Sequence, residues 1–221
     1  MKDFRVADFC CCAGAASKGF ERAGATHIEG WDIVQRDNYP YVFHLGDALD
    51  ALRDVAYLRT FDFIHASMPC QAKCTLTLGT NKRLASRYVD LYEPIRDLMY
   101  ASGVPGSIEN PRARPDMVLC GEMFGLGVQR HRKFELVNWS APKPKHVPHR
   151  GLVRGYNHGK WQDGPYVQVY GQGGGKATVA EAQAAMEIDW TDDIKELTEA
   201  IPPAYTEFVA RQFLAQQGVS A

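Results

Sequence analysis

Along the first half of the chain, short apolar runs that stop at small or polar residues alternate with segments whose apolar positions fall at helical spacing. Phe4 to Phe9 is the first run. The small-residue stretch Cys10 to Ser17 follows, then a helix-like segment, Lys18 to Ala23, ended by Gly24. His27 to Trp31 reads as a second strand closing on Asp32, and Tyr41 to His44 as a third ending before Gly46 and Asp47. In Leu49 to Leu58 the residues Leu49, Leu52, Val55 and Ala56 keep helical spacing. Phe61 to Ala66 is a β-rich run ending at Pro69, and the polar, Thr-rich stretch Gln71 to Arg87 reads as a mobile loop. Tyr88 to Ala101 is again helical, and Gly106 to Ile108 enters a strand that stops at Pro111. Strands alternating with helices predict a parallel α/β sheet.

The second half is patterned differently. From Ser140 the chain turns to Pro, His, Lys and Gly, with Pro142, Pro144, Pro148, Gly151, Gly155, Gly159 and Gly164 too closely spaced for a regular helix. Gly171 to Gly175 is Gly-rich, Thr178 to Met186 predicts a short helix, and Pro202-Pro203 suits the first turn of a last helix. In that helix Tyr205, Phe208, Val209, Phe213 and Leu214 fall largely on one face. The expected organisation is one domain, residues 1–140 plus 177–221, with a small basic lobe at 141–176 inserted, and the last helix packing beside the first strand.

Composition fits a soluble globular chain: 221 residues, 45% hydrophobic and 23% charged, with a net charge of -1. That balance gives no global nucleic-acid signature, but the charge is unevenly placed. Residues 129–160 hold eight Lys and Arg against one acid, a local +7 that leaves -8 for the rest, and four of the seven histidines. The six cysteines show no paired spacing of the zinc or disulfide kind, so free thiols and no metal are expected. No apolar run of signal-peptide or membrane-span length is seen, which predicts a cytoplasmic protein with no membrane partner. A monomer is expected.

Ligands of open α/β sheets bind where parallel strands end, so the residues at those ends are the candidates. They are Cys12, Ala13, Gly14 and Ala15 after the first strand, Asp32 after the second, Asp47 after the third, Cys70 after the fourth and Glu109 after the fifth. Small residues admit a ligand close to backbone, and an acid one strand later suits ribose hydroxyls; the same acids would serve equally as helix caps. Ser67-Met68-Pro69-Cys70-Gln71 puts a thiol at a strand end beside a proline. A lone cysteine there is more often inert than nucleophilic, and Arg130-His131-Arg132 could be a solvated charge run. Their joint order along the strand ends favours a site.

In that order the motifs make the chain resemble the DNA (cytosine-5)-methyltransferases, most closely the short forms carried by bacteriophages. Asp8 to Phe20 matches the first cofactor motif, Asp32 and Asp47 the second and third, Pro69-Cys70-Gln71 the nucleophile motif, and Glu109-Asn110 the base-binding motif. Arg130-x-Arg132 matches the arginine motif and Ala200 to Leu214 the closing one. The resemblance implies a Rossmann-like fold, S-adenosylmethionine as cofactor and a flipped-out cytosine of DNA as substrate. It implies Cys70 as the thiolate that adds to C6, Glu109 as the carboxyl group at N3, Arg132 at O2 and Arg130 supporting the loop. Cofactor contacts would come from Cys10, Cys12, Ala13, Gly14, Ala15, Asp32, Ile33, Asp47, Ala48 and Pro69. DNA contacts would come from Gln71, Lys73, Arg83, Arg87, Arg150 and Arg154.

Several positions depart from the family pattern. Its first motif reads Asp-Leu-Phe-Cys-Gly-Ala-Gly-Gly, whereas here Cys10 replaces the aromatic residue and Cys12 and Ala15 replace glycines. Met68 replaces a proline, and Gln129 directly precedes Arg130. Only 38 residues separate Arg132 from Gly171, too few for a full target-recognition domain, so short or relaxed sequence specificity is expected. With Lys73 beside the nucleophile, the altered first motif raises a carboxylated sulfonium donor as an alternative. RNA cytosine-5 methylation and a catalytically impaired nucleic-acid-binding relic are the others. A nicotinamide oxidoreductase is disfavoured, because no G-x-G-x-x-G follows the first strand.

Overall fold

The computed structural model describes residues 3–70, 89–157, 159–170 and 176–218. Strands β1 (Arg5–Phe9), β2 (His27–Asp32), β3 (Val42–Leu45), β4 (Phe63–Ala66), β5 (Gly106–Glu109), β6 (Met117–Leu119) and β7 (Arg132–Val137) form one sheet in the order β3-β2-β1-β4-β5-β7-β6. The first five are mutually parallel, as the alternating pattern predicted. The sheet is not wholly parallel, however: β7 runs antiparallel to both β5 and β6. No apolar run announces β7, because it opens on Arg132-Lys133 and carries Glu135 at its centre. That carboxylate is fully buried yet satisfied, accepting from Tyr92 Oη at 2.7 Å, Arg96 Nε at 2.9 Å and Tyr100 Oη at 2.9 Å.

The two faces of the sheet are covered by different helices, and β1 shows the division. Val6 faces one core with Phe20, Phe63 and Phe134, while Ala7 and Phe9 face another with Leu52, Ile95 and Met99. Helix α1 (Ala15–Arg22) lies on the first face. The predicted Leu49 to Leu58 helix is two pieces, α2 (Ala48–Arg53) and α3 (Val55–Leu58), because the Asp54 side chain accepts from Tyr57 N and starts the chain afresh. Helix α4 (Tyr92–Ser102) packs against the second face and ends at Gly103, whose φ of 73° suits a left-handed cap.

Near the C-terminus come α5 (Val179–Met186), opened by a capping box between Thr178 and Glu181, then α6 (Ile194–Glu199) and α7 (Pro203–Gln216). Helix α7 lies across α1 rather than directly beside β1, and reaches the sheet through Phe213, whose ring meets Phe4 and Phe63. Gly19 permits that approach: a Cβ there would fall 2.1 Å from Pro203 O and from Thr206 Oγ1. The loop-rich region contains a hairpin, β8 (Gly155–Asn157) with β9 (Lys160–Gln162), and is stitched to the rest by Val167 N donating to Gly127 O at 2.8 Å. Among the described residues no helix is long and apolar enough to cross a membrane.

Candidate active site at the carboxyl edge of the sheet

Parallel register brings the ends of β1, β2, β4 and β5 to one edge, where the chain after each strand folds back on its neighbours. After β1 the backbone turns sharply, with φ of 60° at Cys10, 48° at Cys12 and 81° at Gly14. A left-handed conformation suits Gly14 but costs roughly 1–2 kcal/mol at a residue with a Cβ. The turn is held from outside. Asp32 Oδ2 accepts from Cys12 N at 3.0 Å, Asp32 Oδ1 accepts from Val34 N at 2.9 Å, and Trp190 Nε1 donates to Ala13 O at 2.7 Å. Arg36 Nε lies 3.4 Å from Asp32 Oδ2 and keeps that buried carboxylate paired.

Burial sets the protonation of this corner. It pushes the Cys10 thiol up to about 12 and the Cys12 thiol to about 11, and raises Cys11 further still. Beneath them Asp8 is fully buried, accepts from Ser17 Oγ at 2.6 Å and leaves its Oδ1 without a hydrogen-bond partner among the described residues. Desolvation, reinforced by the Asp32 charge and only partly offset by Ser17, lifts the Asp8 carboxyl to about 7.

The remaining positions expected at the cofactor separate. Ile33 is 72% exposed just beyond β2, an uncovered apolar side chain at the ligand edge. Asp47 instead caps α2 by accepting from Leu49 N at 2.8 Å, the capping role that the sequence left open. Ala48, the first residue of α2, is buried in the core. Pro69 is exposed ahead of the half-buried Cys70.

The β4, β5 and β7 ends converge on Glu109. This last residue of β5 is only 8% exposed, its Oε2 accepts from Ser67 Oγ at 2.8 Å, and its Oε1 lies 3.3 Å from Arg132 Nε. Arg132 arrives because β7, antiparallel to β5, starts beside the carboxyl end of β5 and runs from there toward its amino end. Asn110 completes the frame, donating from Nδ2 to Met68 O at 3.3 Å and accepting from Arg112 N at 3.1 Å. The turn carrying Cys70 is thus tied to the turn carrying Glu109 by two hydrogen bonds, Ser67 to Glu109 and Asn110 to Met68. Sequence reasoning gave Ser67, Asn110 and Trp190 no separate bonding role; Ser67 and Asn110 lay inside its motifs, whereas nothing near Trp190 signals its bond to Ala13.

Arg130 does not reach this pocket as a reacting group. It adopts a φ of 40°, and its guanidinium donates to Val169 O, to Thr198 O at 2.6 Å and to Ala200 O at 2.9 Å. Burial, with Arg132 beside it, pushes it down to about 9, so it stays cationic near neutrality while clamping the C-terminal segments to the start of β7. The resemblance implied loop support for Arg130, and the structure places its guanidinium on the backbone of Val169, Thr198 and Ala200. Arg150 and Arg154, expected on DNA, are engaged within the chain. Arg150 pairs with Glu122 at 3.0 Å and donates to Leu126 O at 2.8 Å, and Arg154 pairs with Glu181 at 2.6 Å. Gln71, Lys73, Arg83 and Arg87 lie outside the described residues.

Strand order and direction define a Rossmann-like methyltransferase fold, with a mostly parallel central sheet and one antiparallel strand inserted near its edge. Two solved methyltransferases share it over nearly the whole chain. The Entamoeba histolytica methyltransferase EhMeth superposes with a TM-score of 0.62 at 10% identity, over 98% of this chain and 99% of that one. The S. pombe Dnmt2 methyltransferase gives 0.54 at 11% identity, over 97% and 99%. The Spodoptera frugiperda DNMT2 E260A/E261A/K263A mutant gives 0.46 at 14% identity over 62% of this chain, which spans about half, 50%, of that one. No protein-family model and no curated protein matches the sequence.

Proposed function

We propose that this protein is a DNA cytosine-5 methyltransferase that uses S-adenosylmethionine and Cys70 as covalent nucleophile. The observation that carries this reading is the frame around Glu109: a buried carboxylate between Ser67 and Arg132, tied through Asn110 to the turn that ends in Cys70. C5 of cytosine is a poor nucleophile until C6 is attacked, so the reaction needs a thiolate at C6 and a group that holds N3. Cys70 adds to C6 while Glu109 hydrogen-bonds N3 and the exocyclic amine, which stabilises the charge that addition pushes into the ring. Arg132, held beside Glu109, binds O2. Neither group reaches a stacked base, so the cytosine enters flipped out or from a single strand. Departure of the C5 proton and then of the Cys70 thiol restores the aromatic ring.

The β1 corner fits the donor. Ala13, Gly14 and Ala15 present little side chain, Ile33 offers an uncovered apolar face, and Asp32 lies at the β2 end where an acid meets ribose hydroxyls. S-adenosylmethionine supplies an electrophilic methyl group when bound. A thiolate beside such a methyl would intercept it, and the raised Cys10 and Cys12 thiols stay protonated near neutrality, which avoids that side reaction.

The test is nucleoside mass spectrometry of digested DNA and RNA from a cytosine-methylation-deficient host expressing wild type or Cys70→Ser. A Cys70-dependent 5-methyldeoxycytidine is expected. An increment larger than one methyl would indicate a modified donor, 5-methylcytidine only in RNA would move the substrate to RNA, and no new nucleoside in either pool would reject the reading.

A further inference from the structure

Expecting no metal, sequence reasoning weighed only paired cysteines, but the fold gathers one cysteine and three histidines from three separate stretches of chain. Cys120 directly follows β6 and His131 directly precedes β7, and the β6–β7 register, in which Leu119 faces Arg132, sets the two opposite each other. His146 and His149 come from the Pro-rich segment beyond, spaced as H-x-x-H. One donor atom from each lies within 4.8 Å of all the others. Cys120 Sγ is 3.4 Å from His149 Nε2, and His131 Nε2 is 3.1 Å from His146 Nε2.

We propose that Cys120, His131, His146 and His149 bind one zinc ion as a closed structural site. A tetrahedral zinc with ligand bonds of about 2.0–2.3 Å separates its donors by about 3.3–3.7 Å, close to the Cys120–His149 and His131–His146 separations. A thiolate with three imidazoles is a soft, nitrogen-rich donor set that suits zinc over calcium or magnesium. Four protein ligands leave no open position, so the ion holds structure and does no chemistry. Donors on a buried residue and on three exposed ones place the ion at the surface rather than in the core.

The ion has a clear structural task. Residues 141–149 contain no helix or strand and none of their backbone groups takes part in a backbone hydrogen bond among the described residues. The same segment carries Pro142, Pro144 and Pro148, which cannot donate, and the cations Lys143 and Lys145. Zinc would fasten it to the β6–β7 hairpin, one residue from the Arg132 that pairs with Glu109. With one thiolate and three neutral imidazoles the site also carries a net positive charge, which adds to the basic character of this lobe.

The test needs neither donor nor nucleic acid, so it stands apart from the proposed reaction. Whole protein purified without chelators is dialysed and its zinc measured by elemental mass spectrometry, then the zinc is exchanged for cobalt and the visible spectrum recorded. About one zinc per chain is expected, with tetrahedral cobalt bands and a sulfur-to-cobalt charge-transfer band that disappears in Cys120→Ser. His146→Ala removes an exposed ligand without touching the core, and is expected to weaken zinc binding at least about 10-fold. Wild type that retains no zinc and shows no cobalt bands overturns the proposal, as does full zinc occupancy in both variants.

Discussion

At the β1–β2 end of the ligand edge, neutral thiols and left-handed backbone form the turn, whereas at the β4–β5–β7 end a buried carboxylate is matched to a guanidinium and a hydroxyl, with a neighbouring carboxamide bonded to backbone. The first corner stores strain at Cys10 and Cys12 and keeps its charge low, with Asp32 and Arg36 paired behind it. The second concentrates charge at Glu109 and Arg132, and fixes it with bonds that cross between strand ends. A donor that carries a positive sulfonium and a reactive methyl needs close backbone and no competing nucleophile. A pyrimidine that gains electron density during attack needs aimed hydrogen bonds instead. The contrast suggests a division of labour along one sheet edge, and substitutions on either side should show different signatures.

The largest effect is expected at the charged corner. Glu109→Gln keeps the shape but cannot supply a proton to N3, and should slow single-turnover methylation by about 10³-fold while leaving the melting temperature near that of wild type. A rate within a few-fold of wild type would separate Glu109 from the chemistry.

At the neutral corner the signature is pH-dependent stability. Asp8 titrates near 7 in the folded chain because of burial, well above its ordinary value of 3.8. A raised carboxyl contributes full stability below its unfolded pKa and loses it as pH rises through the folded one. Wild type should therefore lose stability between about pH 4 and 7. Asp8→Asn, which cannot ionise, should gain on wild type by on the order of 3 kcal/mol between pH 5 and pH 8, read by denaturant melts at both values. A difference that does not change with pH would mean that Asp8 ionises normally in the fold.

The smallest effect concerns strain. Cys12→Gly relieves a left-handed residue at φ 48°, though glycine gives back part of the gain as unfolded-state entropy. A net stabilisation of about 0.5–1 kcal/mol in thermal melts is expected, and destabilisation would show that the Cys12 side chain contributes packing that outweighs its strain.

Much of the fold was legible because β1, β2, β4 and β5 are buried runs that each end at a turn, so their pattern and their chemistry coincide. Less visible was β7, whose opening cations and buried Glu135 mask a core strand until Tyr92, Arg96 and Tyr100 are brought to it from α4. At the site, Cys70, Glu109 and Arg132 could be named from their motifs. Their coupling through Ser67 and Asn110 depends on β4 and β5 being neighbours, which no local pattern encodes. The same limit hid the partners of Arg130, since Val169, Thr198 and Ala200 are remote in sequence, and the pairing of Arg150 with Glu122 and of Arg154 with Glu181. His131, His146 and His149 stood out only as part of a histidine-rich stretch until the fold brought Cys120 among them.

Covalent trapping tests the assignment of Cys70 most directly. Randomised duplexes carrying 5-fluorodeoxycytidine, incubated with S-adenosylmethionine, should form a denaturation-stable adduct, because fluorine at C5 cannot depart as a proton does. Wild type is predicted to give that adduct through Cys70 Sγ, identified by peptide mass spectrometry, and Cys70→Ser to give none. An adduct that persists in Cys70→Ser, or its absence in wild type that methylates the unfluorinated duplex, would contradict Cys70 as the nucleophile.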